Sequence, residues 1–235
     1  MNYLLWDFDG TLAERPGLWS QCLADVVNEN QQTKHFQRHH FSPHLSTGFP
    51  WHTPEITHEH ILTAEAWWEN LESTLIQALV KGAQLSLAEA TLLIPNTRMR
   101  YIDPTGWQVY EDTVPTLKQL SKDGWQHLIL SNHVPELPAL VESLGLTEHF
   151  QSIYTSAITG FEKPNPAAFQ YVLKQLPQDA NVIMIGDSYE ADVLGAQSIG
   201  LAAILVRNHH AEMPELLNLH KLPDILRVKL DSATF

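Results

Sequence analysis

Leu4-Leu5-Trp6-Asp7-Phe8-Asp9-Gly10-Thr11-Leu12 is the stretch that decides the fold. An apolar run ends in two aspartates one residue apart, followed by Gly-Thr. A short continuous apolar run reads as a buried strand, and Gly10 marks the turn after it. Asp7 and Asp9 then stand at the carboxyl end of that strand, where open α/β sheets place their ligands. Two carboxylates there are costly unless a cation or a reaction uses them. Asp and Gly are also ordinary turn residues, so a strand leading into an acidic turn is the alternative at this point. The rest of the chain weighs against that alternative.

From Val109 onward the sequence alternates between the two periodicities. Thr113 to Lys122 reads as a helix, and Gln126 to Leu130 as a strand running into Ser131-Asn132. Leu137 to Leu144 is a helix stopped by Gly145, and Ser152 to Ser156 a short strand. Pro166 to Leu176 is a helix, and Asn181 to Ile185 a strand delivering Gly186-Asp187. Asp192 to Ile199 is a helix before Gly200, Ala202 to Val206 a further strand, and His209 to Phe235 a capping helix and tail. Such alternation implies a mostly parallel sheet covered on both faces. Between Leu12 and Val109 the texture is helical instead. Helices are expected over Pro16 to Glu29, over Ile61 to Gly82, and from the Ser86…Glu89 start signal towards Arg100. A polar, histidine-rich loop broken by Pro43, Pro50 and Pro54 fills residues 31 to 60.

With 235 residues, 44% of them hydrophobic, the chain holds one large domain or a core plus a smaller insert, and is not disordered. The net charge of −13 and the lack of any Lys/Arg-rich run disfavour polyanions as partners, and no nucleic-acid partner is expected. An anionic substrate must therefore be attracted locally, by a metal or a few placed cations. Met1-Asn2-Tyr3 lacks the basic start of a signal peptide, and no apolar stretch is long enough to cross a bilayer. The single cysteine, Cys22, excludes an intramolecular disulfide and fits a reducing compartment. Cys22 lies on a helix with no base partner in view, so it reads as a small core residue. A cytoplasmic chain without a membrane partner is expected.

Three strands thus end in polar groups: Asp7/Asp9, Ser131/Asn132 and Asp187. A parallel sheet brings such ends to one edge. Between the second and third lies Phe161-Glu162-Lys163-Pro164-Asn165-Pro166, whose prolines restrict the backbone and hold Lys163 at the mouth of a helix. Oxygen-only ligands from carboxylates suit Mg²⁺, which binds through one or two carboxylates plus a substrate phosphate. A lysine and a hydroxyl complement the remaining phosphate oxygens, and main-chain N–H groups around Phe8 to Gly10 add donors. One aspartate attacking phosphorus forms an acyl phosphate, while the second moves the proton.

Asp7-Phe8-Asp9-Gly10-Thr11-Leu12 resembles the first motif of the haloacid dehalogenase-like hydrolases, most of which are Mg²⁺-dependent phosphatases. Ser131-Asn132 resembles the second motif, Lys163-Pro164 the third, and Gly186-Asp187 with Asp192 the fourth, all in the family's order. The resemblance implies a three-layer, Rossmann-like α/β core over 1–13 and 104–235 and an inserted all-helical cap over 14–103. It implies that Asp7 is the nucleophile and a Mg²⁺ ligand. Asp9 is then the general acid/base and ligates through its carbonyl. Ser131 and Lys163 hold phosphoryl oxygens, with Phe8, Gly10 and Asn132 beside them; Asp187 is a metal ligand and Asp192 supports the metal site. True dehalogenases of the family lack an acid at the position of Asp9, so small phosphate esters are the implied substrates. A sugar-phosphate mutase on the same core, or a non-catalytic binding protein retaining the fold, are the alternatives; either a monomer or a homodimer is compatible.

Other features have plainer readings. His35…His39 is a spacing that sets two imidazoles on one helical face, but no cysteine or second pair completes a zinc site, so solvated surface or cap–core contact is expected. In Trp67-Trp68 one ring shares the stripe of Ala64, Leu71 and Leu75, and the other either packs or stacks on substrate. His133 either reaches a leaving group or is a loop histidine without a partner, and Glu162 either orients Lys163 or is solvated.

Overall fold

The computed structural model describes residues 1–30, 34–61 and 63–232. In chain order its elements are β1 (Asn2–Trp6), β2 (Ala13–Glu14), α1 (Leu18–Asn30), α2 (Ala64–Ala83), α3 (Leu87–Ile102) and β3 (Gln108–Val109). There follow α4 (Thr113–Lys122), β4 (Trp125–Ser131), α5 (Leu137–Ser143), β5 (Ser152–Thr155), α6 (Ser156–Thr159), α7 (Pro166–Leu173) and β6 (Asn181–Gly186). A π-helical turn, Tyr189–Leu194, leads into α8 (Gly195–Gln197), then β7 (Ala202–Leu205) and α9 (Leu222–Ser232).

Five strands form one parallel sheet in the order β5-β4-β1-β6-β7. The apolar alternation of each central strand feeds two cores. Leu4, Trp6, Ile129, Ile183 and Ile185 face one, while Tyr3, Leu5, Leu128, Leu130, Val182 and Met184 face the other. Strands buried on both faces read as near-continuous apolar runs, which is why β1, β4 and β6 are legible in sequence. Each fully buried large side chain stabilises the fold by roughly 1.5–3 kcal/mol. Trp6 pairs with Ile129 on one side and Ile185 on the other, and β4 and β6 run on by only two residues and one residue. The order also reverses about β1, since β4 and β5 lie to one side of it and β6 and β7 to the other. Ligands of such sheets bind at the carboxyl edge beside that reversal.

The α/β expectation therefore holds. The helical block leaves and returns through β2 and β3, which pair antiparallel (Ala13 with Val109, Glu14 with Gln108). Two-residue strands carry no periodicity, and this ribbon has no sequence signal. The Ser86 side chain caps α3 by accepting from Glu89 N at 3.3 Å, and the Glu89 carboxylate returns to Ser86 N at 2.8 Å. The histidine-rich loop carries three short 3₁₀ turns, Arg38–His40, Ser42–His44 and Pro50–His52. Residues 31–33 of that loop, Leu62 of the expected second helix and 233–235 of the expected tail lie outside the described residues. The helix expected over Asp192 to Ile199 instead begins at Tyr189 and opens with the wide π turn. Ser188 Oγ accepts from Ala191 N at 3.1 Å and Asp192 Oδ2 from Ser188 N at 2.9 Å, which folds the Asp192 side chain back over the helix start. Among the described residues no helix is long and apolar enough to cross a membrane.

Candidate active site

The loop after β1 is built to aim its two acids. Asp7 N still donates to Ile185 O at 2.9 Å, and the Phe8 carbonyl then accepts from Leu12 N (2.9 Å) and Ala13 N (3.1 Å), curling the chain back. Gly10 has φ +79°, and a Cβ there would lie 2.5 Å from Asp187 Oδ2. Glycine is required twice over, by the left-handed backbone and by the close approach. Thr11 Oγ1 donates to Asp187 Oδ1 at 3.2 Å, tying the first loop to the end of β6. At Gly186 a Cβ would fall 2.1 Å from Asp192 Oδ2, so this glycine lets the Asp192 carboxylate fold beneath the strand end.

Lys163 is buried, 2% exposed, between two carboxylates. Its Nζ donates to Asp192 Oδ1 at 2.5 Å and lies 2.9 Å from Asp7 Oδ1, off the hydrogen-bonding direction. Its backbone is pinned by Asn132, whose Nδ2 donates to Lys163 O (2.8 Å) and whose Oδ1 accepts from Lys163 N (2.7 Å). The Asn132 side chain is thus engaged in holding the lysine in place.

Oxygens of Asp7, Asp187 and Asp192 lie within 4.8 Å of one another. Burial, with Asp7 and Asp192 adding to it, pushes Asp187 up to about 7. Burial also raises Asp192, to about 6, with Lys163 opposing and Asp7 adding. Burial, then the charges of Asp7 and Asp187, hold the Asp9 carboxyl well above the usual carboxylate range. Burial alone would lower Lys163, but Asp192 and Asp7 outweigh it and keep the ammonium charged. One lysine therefore faces four acids, and the site carries unmatched negative charge.

A cavity of about 1360 Å³ opens above this cluster. Asp7, Asp9, Ser131, Lys163 and Asp187 line its floor, while Trp19, Trp51 and Tyr101 from the helical block line its wall. The fold thus brings together Asp7, Asp9, Gly10, Ser131, Asn132, Lys163 and Asp187 on one cavity. Phe8 is fully buried and turned away, stacked at a tilt on Trp107 with ring centroids 5.4 Å apart. Asp192 lies below the floor, 0% exposed.

Several lesser readings are settled by packing. Trp67 and Trp68 are both buried, and Trp68 Nε1 donates to Glu136 Oε1 at 3.0 Å, so neither faces the cavity. The aromatic wall comes instead from Trp19 and Trp51, which sequence reasoning missed because a ring's direction depends on how the insert packs. His133 is buried against the rings of Phe8, Tyr101 and Trp107, away from the cavity, and burial lowers it to about 4. Glu162 is buried with no aligned donor on either oxygen, and burial pushes it up to about 7 against the pull of Ser156 and Lys163. It is neither solvated nor bonded to the lysine. Cys22 is buried as expected, but it does have a basic neighbour: Arg15 Nε donates to its Sγ at 3.0 Å. Among the described residues the only converging set of three potential ligands is the aspartate cluster, with no histidine in it.

Residues 1–200 match the family model for haloacid dehalogenase-like hydrolases. The chain is 33% identical over 222 residues to mouse haloacid dehalogenase-like hydrolase domain-containing protein 3, covering 88% of this chain and 82% of that one. With the bovine version identity is 35% over 149 residues, 63% of this chain and 58% of that one, so the match spans less than two thirds of the bovine protein. Pyrimidine 5'-nucleotidase YjjG of Escherichia coli is 36% identical over 95 residues, 37% of this chain and 42% of that enzyme. Among solved structures, Bacillus subtilis YfnB, determined bound to magnesium, superposes with a TM-score of 0.75 at 23% identity, covering 96% of this chain and 98% of that one. With matching motifs at three neighbouring strand ends and a family match over most of its length, this chain belongs to the haloacid dehalogenase-like hydrolases.

Proposed function

We propose that this chain hydrolyses small phosphate monoesters through a phospho-aspartate formed on Asp7, with Mg²⁺ as cofactor. One observation carries the reading: a buried lysine bridges Asp7 and Asp192 on the floor of a cavity where Asp9 and Asp187 also converge. The carboxylates of Asp7, Asp187 and Asp192 converge there and outnumber the one lysine, which suits a hard divalent cation. Asp7, Asp187 and the Asp9 carbonyl would hold the ion. Both Asp192 oxygens already accept hydrogen bonds, which favours a supporting role for that residue. Bound Mg²⁺ supplies charge neutralisation for the carboxylates and phosphoryl oxygens.

The chain's own residues then divide the work. An Asp7 carboxylate oxygen attacks phosphorus, and the bond from phosphorus to the leaving oxygen breaks. Asp9, whose carboxyl is raised by burial and by the charges of Asp7 and Asp187, gives a proton to that oxygen. The same carboxylate next takes a proton from water, which attacks the phospho-aspartate and releases phosphate. Lys163 and the Ser131 hydroxyl stabilise the phosphoryl oxygens. Residues 14–103 act as a cap that closes over the strand ends and selects the leaving group. Its ties to the core support that role: Arg98 Nη2 lies 2.6 Å from Glu136 Oε1, and His58 N donates to Gly160 O at 2.7 Å.

The test is phosphate release from a panel of nucleotides, sugar phosphates and phospho-acids, with the native chain and Asp7→Asn, with and without Mg²⁺. Metal-dependent release that is lost in Asp7→Asn is expected. An Asp7→Asn chain that keeps most of the activity overturns the mechanism. Conversion of a hexose 1-phosphate to its isomer without free phosphate transfers the assignment to a mutase.

A further inference from the structure

Arg15 lines the same cavity and takes no part in the chemistry above. It is 6% exposed. Its Nε donates to the Cys22 thiol at 3.0 Å and its Nη1 to the Asp103 carbonyl at 3.3 Å. Among the described residues no carboxylate oxygen lies within 4.0 Å of it, and Nη2 has no acceptor. The thiol does not supply the missing charge, because burial pushes Cys22 up to about 11 and keeps it neutral. Asp103 is near enough to feel Arg15, but its Oδ1 accepts from Thr105 N and Oγ1 at 3.0 and 2.8 Å. A buried guanidinium without a counter-ion is costly, and its planar fork fits a carboxylate or phosphate in bidentate fashion. The acids on the cavity floor do not reach it, so the fork is open to an anion that enters the cavity.

The position of Arg15 says which part of a substrate it meets. It lines the cavity together with Trp19, Trp51 and Tyr101 of the helical block, the part of the chain proposed above to select the leaving group. Asp9 protonates the leaving oxygen, so the space beyond it belongs to the leaving group. Gly106 packs closely on Arg15, where a Cβ would lie 1.8 Å from Nη1, and the two hydrogen bonds to Cys22 and Asp103 orient the guanidinium.

We propose that Arg15 binds a second anionic group, carboxylate or phosphate, on the leaving-group side of the substrate, an assignment that rests on the phosphate-ester reading above. The substrates this selects are small phosphate esters whose alcohol carries its own negative charge.

Three matched probes test it: glycerol phosphate, phosphoglycerate with a carboxylate in place of one hydroxymethyl group, and glycerol bisphosphate. In the native chain kcat/KM for at least one doubly anionic probe should exceed that for glycerol phosphate by about tenfold to a hundredfold, mainly through KM. Whichever of the two is favoured identifies the source of the anion. Arg15→Gln should collapse the ratio towards unity, and Arg15→Lys, which keeps the charge without the fork, should retain part of it. A merely structural role would move all three probes together and leave their ratio unchanged. The same ratios are read as equilibrium binding by calorimetry on Asp7→Asn chains, which needs no turnover. No preference in the native chain, or a preference surviving Arg15→Gln, overturns the proposal. A binding preference lost in Arg15→Gln, with no phosphate released from any probe, upholds the anion subsite and removes the hydrolase reading instead.

Discussion

Without a divalent cation, the aspartate cluster should make the fold weaken as pH rises, and Mg²⁺ should reverse that weakening. Asp187 titrates at about 7 in the folded chain against 3.8 ordinarily. The folded state therefore keeps a proton that the unfolded chain has released. Stability from this group is fully present below about pH 4 and is lost as pH rises towards 7. At about 1.4 kcal/mol per pH interval, the loss is on the order of 4 kcal/mol for one proton. Asp192 belongs to the same cluster, so the two are not summed. For a chain of this size each kcal/mol moves the melting temperature by about 2–4 °C, which predicts a fall on the order of 10 °C. The assay is thermal unfolding at about pH 4 and about pH 8, in chelator and in saturating Mg²⁺. The Mg²⁺ shift should be several-fold larger at the higher pH, and Asp187→Asn should flatten both the pH slope and the Mg²⁺ shift. Equal shifts at the two pH values, or an Asp187→Asn chain that behaves as the native one, would refute the reasoning.

Three further outcomes follow from particular contacts. Gly10→Ala places a Cβ 2.5 Å from Asp187 Oδ2 at φ +79°, so steady-state turnover should fall by about a hundredfold; a near-native rate would show that the loop yields freely. His127 accepts from Trp6 Nε1 at 3.0 Å inside the sheet, and burial lowers it to about 4. Its folded value is depressed, so roughly 3 kcal/mol of stability is lost as pH falls from about 6.5 to 4, a loss that His127→Gln should remove from acid-unfolding curves. Glu136→Ala strips the acceptor from buried Trp68 Nε1 and from Arg98, and should cost about 1–3 kcal/mol in urea denaturation. A cost below about 0.5 kcal/mol would mean that this tie between insert and core contributes little.

How far the sequence could be read differs from element to element. β1, β4 and β6 were legible because burial on both faces makes them uninterrupted apolar runs that end in polar residues. α4 was legible to the residue as an amphipathic stretch that tolerates Pro115 in its first turn. The β2–β3 ribbon was not, because it is defined by pairing between segments far apart. Nor was the π turn at Tyr189, which exists because Ser188 and Asp192 bond to each other's neighbourhood. The aromatic wall and Arg15 were invisible for a further reason. Which side of a helix or loop meets the cavity depends on how the insert seats on the core.

By itself the sequence determined the α/β alternation and the polar residues at strand ends, because hydrophobic periodicity and turn chemistry are local properties of the chain. Only the tertiary structure decided that Lys163 bridges Asp7 and Asp192, that Asn132 clamps the lysine, and that Arg15 is buried without a counter-ion. Those facts are distances and charges between residues remote in sequence. Their energies arise only when parallel strands in register bring the groups together in a medium too poor in water to screen them.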